Sequence, residues 1–350
     1  MLETMTSIEL TEREKTILRN VIHQFILTAN PVGSRYIAKK YGLNLSPATI
    51  RNIMADLEDS GFLNHPHTSA GRIPTDLGYR LYVDSLMDPA QLGSEEEDLI
   101  NSSFESMSAD TADLLKATTI ILSNLTNQIA CATFPQLDNA VLTKIHIVQL
   151  SSTRILVVVN ISSGNVKTIT LELDAEIKEK EVLIVEKLLN EKLSGLKFNE
   201  IKKSFSERLK GHPEWKRPII RVFVESMDKI FANDSGTEKS VISGAKNIVK
   251  QPEFEDIDQF QSVIELIEDK EVIIHILDKN RLQKNDDVII SIGKENEPDW
   301  LSDYSTVTKT YSVGEATGTL GIIGPKRMQY SKTVAAVSYL AELLSKQIKI

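Results

Sequence analysis

The chain has 350 residues, room for roughly two or three domains, and an ordinary globular composition with 41% hydrophobic and 25% charged residues. Its formal charge of -9 excludes a surface that binds polyanions everywhere, so any nucleic-acid site has to be a local basic patch. The single cysteine, Cys131, excludes an internal disulfide or a thiolate zinc cluster; no run approaches the ~18 apolar residues of a membrane span, and the start "MLETMTSIELTEREK" lacks a signal-peptide pattern, so a reducing, cytoplasmic setting with no membrane partner is expected.

Thr11, with Glu14 three residues on, forms a capping box that opens a helix. Ile17, Leu18, Val21, Ile22, Phe25 and Ile26 keep helical spacing on one face of it. "NPVGS" (30–34) breaks the pattern. Ser34 is expected to cap a second, short helix that turns Ile37, Ala38 and Tyr41 inward and ends at Gly42. Ser46 caps a third helix, with Pro47 at its first position, where a missing N–H costs nothing, and Ile50, Ile53, Met54 and Leu57 as the buried stripe. Gly61 stops it. "FLNHPHTSAGRIPT" (62–75) reads as two short extended segments around a Ser-Ala-Gly turn. Three helices followed by a hairpin is the winged helix-turn-helix order, and residues 1–88 are assigned to such a DNA-binding domain.

A further helix over 76–87 leaves the hairpin. Pro89 and the acidic run "GSEEEDL" (93–99) point to a solvated linker over 89–109. A helix is expected over 110–130, with Leu114, Thr118, Ile121, Leu122, Leu125 and Ile129 on one face. The strands "TKIHIVQL", "TRILVVVNI" and "NVKTITLEL" (143–173) follow, the second and third joined by a Ser-Ser-Gly-Asn hairpin signal. From 174 the pattern is helical, over 179–195, 199–209 and 214–232, and Pro218 demands a kink or a late start in the last. Strand patterns return at 271–277, 287–293, 306–313 and 318–324, and a helix from Ser331 closes the chain. Strands, a helical block and strands again give an α+β fold: a domain over 110–173 and 256–350, interrupted by an insertion at 174–255.

Charge is uneven along this order. Between Arg13 and Asn52 the basic residues are Arg13, Lys15, Arg19, Arg35, Lys39, Lys40 and Arg51, and the only acid is Glu14. The third helix begins with Ser46, Ala48, Thr49, Arg51 and Asn52 on its outer side and keeps Asp56, Glu58 and Asp59 a turn or more further on. A helix N-terminus offers free N–H groups and a positive dipole end to phosphate, while Arg bonds guanine and Asn bonds adenine bidentately. Acids beside phosphates would repel, so only the first half of this helix is expected to enter a groove. Arg35, Lys39 and Lys40 on the second helix suit backbone contacts, which position without reading sequence. In the hairpin, His65, His67, Thr68 and Ser69 are candidate polar contacts, and Arg72 beside Gly71 has the geometry to reach a minor groove or a phosphate. Two histidines at i, i+2 with no further ligand do not make a zinc site.

No G-x-S-x-G, H-E-x-x-H or Walker motif occurs. His146 and His275 fall inside expected strands, so neither a catalytic residue nor a cofactor or metal site is assigned. "VGEATGTLGIIGP" (313–325) is rich in glycine but alternates as strands and turns. A metabolite-responsive repressor, with a small ligand in the C-terminal domain, remains the competing reading.

The stretches "LTEREKTILRNVIHQFI", "PVGSRYIAKKYGLNLSPATIRNIMADLEDSGFL" and "HTSAGRIPTDLGYRLYVDSLM" closely resemble the HrcA family of bacterial heat-inducible transcription repressors. "TSAGRIPT" (68–75) and "SPATIRNIMADLE" (46–58) are the most specific parts, and the resemblance returns in "KQPEF" (250–254) and "GTLGIIGPKRMQYSK" (318–332). It is weakest over 174–245. The resemblance implies an N-terminal winged-helix domain, a GAF-like domain and a dimerising domain inserted within it. It also implies homodimers on an inverted-repeat operator, called CIRCE, upstream of chaperone operons, and a GroE chaperonin that keeps the repressor active until unfolded proteins occupy it.

Overall fold

A computed structural model describes residues 10–66, 71–88, 91–105, 110–162, 164, 166–231, 239–254, 257–282, 287–297 and 299–348. Helix α1 (Glu12–Thr28) starts on the capping box: Thr11 accepts from the Glu14 N–H, and Glu14 accepts from the Thr11 N–H at 2.7 Å. Helix α2 (Ser34–Tyr41) differs in one detail. Its N-cap is Gly33, which gives no side-chain cap, and Ser34 is the first helical residue; Gly42 ends the helix at φ 56°. Helix α3 (Pro47–Asp59) is capped by Ser46, whose Oγ accepts the Thr49 N–H at 3.0 Å. Strands β1 (Leu63–Asn64) and β2 (Ile73–Pro74) pair antiparallel. Helix α4 (Asp76–Leu81) leaves β2 and continues as a π-helical turn, Tyr82–Leu86.

The acidic run is not a connector. It forms the first turn of helix α5 (Ser94–Glu105), where carboxylates favour the positive dipole end, and it carries Ile100 and Phe104 into the core. Helix α6 (Thr111–Thr126) ends at Asn127 in the left-handed region, and β3 (Ile129–Thr133) begins at once. The helix expected to reach 130 therefore stops short. All of β3 is buried, and a strand covered on both sides reads like a continuation of an apolar helix.

Strands β4 (Leu142–Gln149), β5 (Arg154–Ile161) and β6 (Val166–Glu172) make an antiparallel sheet of their own, in the order β4-β5-β6. Ile155, Val157, Val159 and Ile161 alternate onto the face covered by helices α7 (Glu179–Leu193), α8 (Phe198–Leu209), α9 (Pro218–Glu225) and α10 (Met227–Phe231). Pro218 sits at the first turn of α9, after a short 3-10 turn. Helix α7 closes the β4 edge: the Ile145 N–H donates to Asn190 Oδ1 at 2.8 Å and the Ile147 N–H to Glu186 Oε2 at 2.8 Å. These strands, grouped by sequence with the C-terminal strands, thus share their core with the helices that follow them, over residues 137–231.

The chain then returns through β7 (Ser240–Ser243), α11 (Ala245–Ile248), α12 (Ile257–Glu268), α13 (Lys270–Leu282), β8 (Ile289–Ile292), β9 (Tyr304–Val313), β10 (Ala316–Pro325) and α14 (Tyr330–Gln347). The segment 271–277, expected as a strand, is helical. Asp269 Oδ1 accepts the Glu271 and Val272 N–H groups, both at 3.2 Å, which caps a helix and places Ile273, Ile276 and Leu277 on one buried face; His275 is exposed. A five-stranded antiparallel sheet runs β7-β3-β10-β9-β8. Ala130, Ala132, Leu320 and Ile322 face α6 and α14, while Ile129, Cys131 and Ile323 face α12 and α13. The core on the α6–α14 side is continuous with the apolar faces of α1, α2 and α3. The fold is α+β.

Candidate nucleic-acid interface

The outer side of α3 near its start is built by local rules. Ser46 and Pro47 fix where the helix begins, and Ile50, Met54 and Leu57 fix which side is buried. What remains outside is Ser46, Ala48, Thr49, Arg51 and Asn52, all exposed. Ser46 Oγ also lies 2.9 Å from Thr49 Oγ1, so both hydroxyls are engaged at the cap. Neither Arg51 nor Asn52 has a side-chain partner among the described residues. An exposed guanidinium without a side-chain partner among the described residues therefore stands near the positive end of this helix.

Helix α2 divides its basic residues. Arg35 and Lys39 are exposed and lack side-chain partners among the described residues. Lys40, expected to reach outward, donates to Gln24 Oε1 at 2.7 Å; its ammonium lies 5.7 Å from the Tyr36 ring centre and 5.6 Å from that of Tyr41. Gln24 is buried, so this contact ties α2 to α1. Tyr36, 47% exposed between Arg35 and Lys39, is a polar-tipped aromatic that the reading of charges overlooked; its place on the outer helix face was the available signal.

The hairpin shows a further difference. Arg72, expected to extend towards DNA, turns inward and is 17% exposed. Its Nε lies 2.7 Å from Glu58 Oε2 and its Nη1 2.8 Å from His65 Nδ1. Glu58, read only as an acid to be kept from phosphate, is the group that draws Arg72 onto α3. Their separation along the chain hid the pairing. Val32 and Arg72 exchange backbone hydrogen bonds at 2.9 Å in each direction, which lays the α1–α2 loop along β2. That approach needs Gly71: a Cβ there would lie 2.6 Å from the Pro31 carbonyl carbon. His67, Thr68 and Ser69 lie outside the described residues.

Elsewhere the motifs at 250–254 and 318–332 meet. Arg327 pairs with Glu253 beside a cleft of about 270 Å³ lined by residues including Ile26, Gln128, Lys250 and Gln251. Burial pushes the Cys131 thiol up to about 12, so it stays protonated. Among the described residues, no group of three or more His, Cys, Asp and Glu is placed to hold a metal ion, and no helix is long and apolar enough to cross a membrane.

The family model described as "HrcA protein C terminal domain" matches residues 112–334. The Heat-inducible transcription repressor HrcA of Chlorobium phaeobacteroides is 42% identical over 345 residues, covering 96% of this chain and 98% of that protein. The chain belongs to the HrcA family. Prosthecochloris aestuarii has an HrcA repressor 40% identical over 349 residues, covering 97% of this chain and 98% of its own. Among solved structures, the crystal structure of a protein titled only as hypothetical aligns with a TM-score of 0.56 at 20% identity, over 97% of this chain and 99% of that one. That last likeness is one of fold.

Proposed function

We propose that this HrcA-family chain is a sequence-specific DNA-binding repressor of heat-shock chaperone operons. In this reading residues 1–88 form a winged helix-turn-helix domain, and α3 enters the major groove by its first turns. Arg51 and Asn52 read bases, with Ser46, Ala48 and Thr49 beside them. Arg35 and Lys39 contact phosphate. Lys40 and Arg72 act chiefly by bracing α2 and the hairpin, with His65 held beside Arg72; His67, Thr68 and Ser69, outside the described residues, keep their proposed polar contacts to DNA. The observation that carries the reading is the exposed Arg51–Asn52 pair, without side-chain partners among the described residues, on a helix start whose Ser46 and Thr49 hydroxyls are engaged at the cap.

One such domain offers few base contacts. Two, held at fixed separation in a homodimer, match an inverted repeat such as CIRCE and raise the effective concentration at the second half-site. The body around the five-stranded sheet is the GAF-like domain of this proposal. The unit over 137–231, with its separate core, is the inserted dimerising domain, a larger insertion than the helices alone. Exposed Leu183 and Ile184 on α7 suit it to that role, whereas α9 spends Ile219, Ile220, Val222 and Phe223 on internal packing. The GroE chaperonin is the proposed modulator. Gel-shift titration on the chain's own upstream DNA, with and without chaperonin, tests the reading: retardation by an inverted repeat at low ionic strength is expected, and equal affinity for scrambled DNA would reject it.

A further inference from the structure

The DNA-reading module is not carried on a free tether. Its contacts with the sheet body come from two separate helices, α4 and α1. On α4, directly after the hairpin, Arg80 Nε donates to Glu295 Oε1 at 2.8 Å and Arg80 Nη2 donates to the Ile290 carbonyl, on edge strand β8, at 2.8 Å. Asp76 pairs with Lys326 at 2.9 Å and accepts the Lys294 N–H at 3.2 Å. Gly293 makes room for this: at φ +57°, a Cβ there would sit 2.1 Å from Asp76 Oδ2. The Tyr79 ring packs 6.1 Å from that of Tyr330. On α1, next to the Lys326–Asp76 pair in sequence, Arg327 Nη1 donates to the Ile26 carbonyl in the last turn of the helix at 2.8 Å, while the same guanidinium grips Glu253 through Nε and Nη2.

Anchors on α4 and on α1, meeting three parts of the body, oppose rotation as well as separation. A single anchor would constrain the module's angle less. Beneath them runs an unbroken apolar core that joins Ile22, Ile26 and Tyr79 to Met328, Tyr330 and Leu344. Charged groups at 15% to 41% exposure add little net stability on their own, but they are directional, and that is what orientation requires.

We propose that Arg80, Glu295 and Arg327 are positioning residues that fix the angle of the reading module on the body, and so set which spacing between half-sites the dimer accepts. This rests on the DNA-binding reading above. Adding about five base pairs between half-sites turns one to the opposite face of the duplex. A rigidly mounted pair of modules then loses its second contact, while a swivelling pair keeps it.

The test uses the full chain. A duplex selected by the wild-type protein from a random-sequence pool supplies the selected repeat, one isolated half-site, and the repeat lengthened by about five base pairs. Affinities are read by fluorescence anisotropy. The wild type should bind the lengthened repeat on the order of tenfold or more weaker than the selected one. Arg327→Met and the milder Glu295→Gln should bind the half-site as the wild type does, yet lose most of that spacing penalty. An unchanged penalty overturns the inference, as does a half-site affinity that falls in step with the full site, which marks a local structural role. Selection of no inverted repeat by the wild type would instead remove the DNA-binding reading itself and the inference with it.

Discussion

Arg51 and Lys40 are both cations on exposed helix surface of the N-terminal module, and sequence offers both as DNA contacts, Arg51 to bases and Lys40 to the backbone. Their surroundings separate them. Arg51 has no side-chain partner among the described residues, so Arg51→Ala should leave stability almost unchanged and weaken binding to the selected DNA by about 1–3 kcal/mol, with relaxed base preference. Anisotropy titration on selected and single-base-altered duplexes checks this; equal loss on every sequence would reassign Arg51 to phosphate. Lys39→Ala should weaken all duplexes alike and reduce the slope of log affinity against log salt by about one. Lys40→Ala removes a bond to buried Gln24, so its main effect should appear in a denaturant melt, with a salt slope close to wild type. Arg72 and Glu58 belong to the same comparison. A double-mutant cycle on Arg72→Ala and Glu58→Ala should give a coupling of about 0.5–3 kcal/mol in stability, since the pair joins hairpin to helix; zero coupling would mean that the ion pair does not brace the hairpin.

Elements were legible where local chemistry alone decides them. The α1 capping box, the Ser46-Pro47 start of α3 and the alternation of β5 follow from a few neighbouring residues, and each element lies where those residues put it. Elements whose apolar runs fit more than one period were not. "EVIIHIL" is rich in β-branched residues and reads as a strand, yet Asp269 caps it into a helix with one buried face and Glu271 and His275 exposed. The sorting of strands between sheets was also hidden, because it depends on which helices cover them. So were Arg72–Glu58 and Lys40–Gln24, which are contacts between elements. Helix α1 carries one pH-dependent consequence of such contacts. Burial first, then Lys40 and Arg19, hold the His23 imidazole below its ordinary 6.5. The folded chain therefore binds this proton less readily than the unfolded one. Its full stability stands above 6.5 and declines as pH falls through that value towards the lower folded pKa. His23→Gln should flatten this decline, which urea melts at about pH 7.5 and about pH 5.5 would measure; an unaltered slope would place the acid sensitivity elsewhere.

At the scale of the whole molecule, the question is what heat dismantles first. The helices that carry the candidate interface share their core with α5, α6 and α14, whereas the unit over 137–231 has a core of its own. A module so embedded has no separate apolar interior to lose, and ligand-free melting should follow packing units rather than the end of the N-terminal module. The chain provides its own reporters, since it has two tryptophans. Trp215 packs against the core of the 137–231 unit, and Trp300 stands in the 3-10 turn before β9, next to fully buried Leu301. In Trp215→Phe, the remaining fluorescence follows the body; in Trp300→Phe, it follows the 137–231 unit. DNA release on heating should coincide with the Trp300 transition, because losing the body strips the apolar support from α1 and α3 and removes the anchors at Asp76, Arg80 and Arg327. Release well below both transitions would show the reading module melting alone, against the continuity of its core. Release that follows Trp215 while Trp300 is still native would mean that separation of the proposed dimer, rather than collapse of the module's support, frees the DNA.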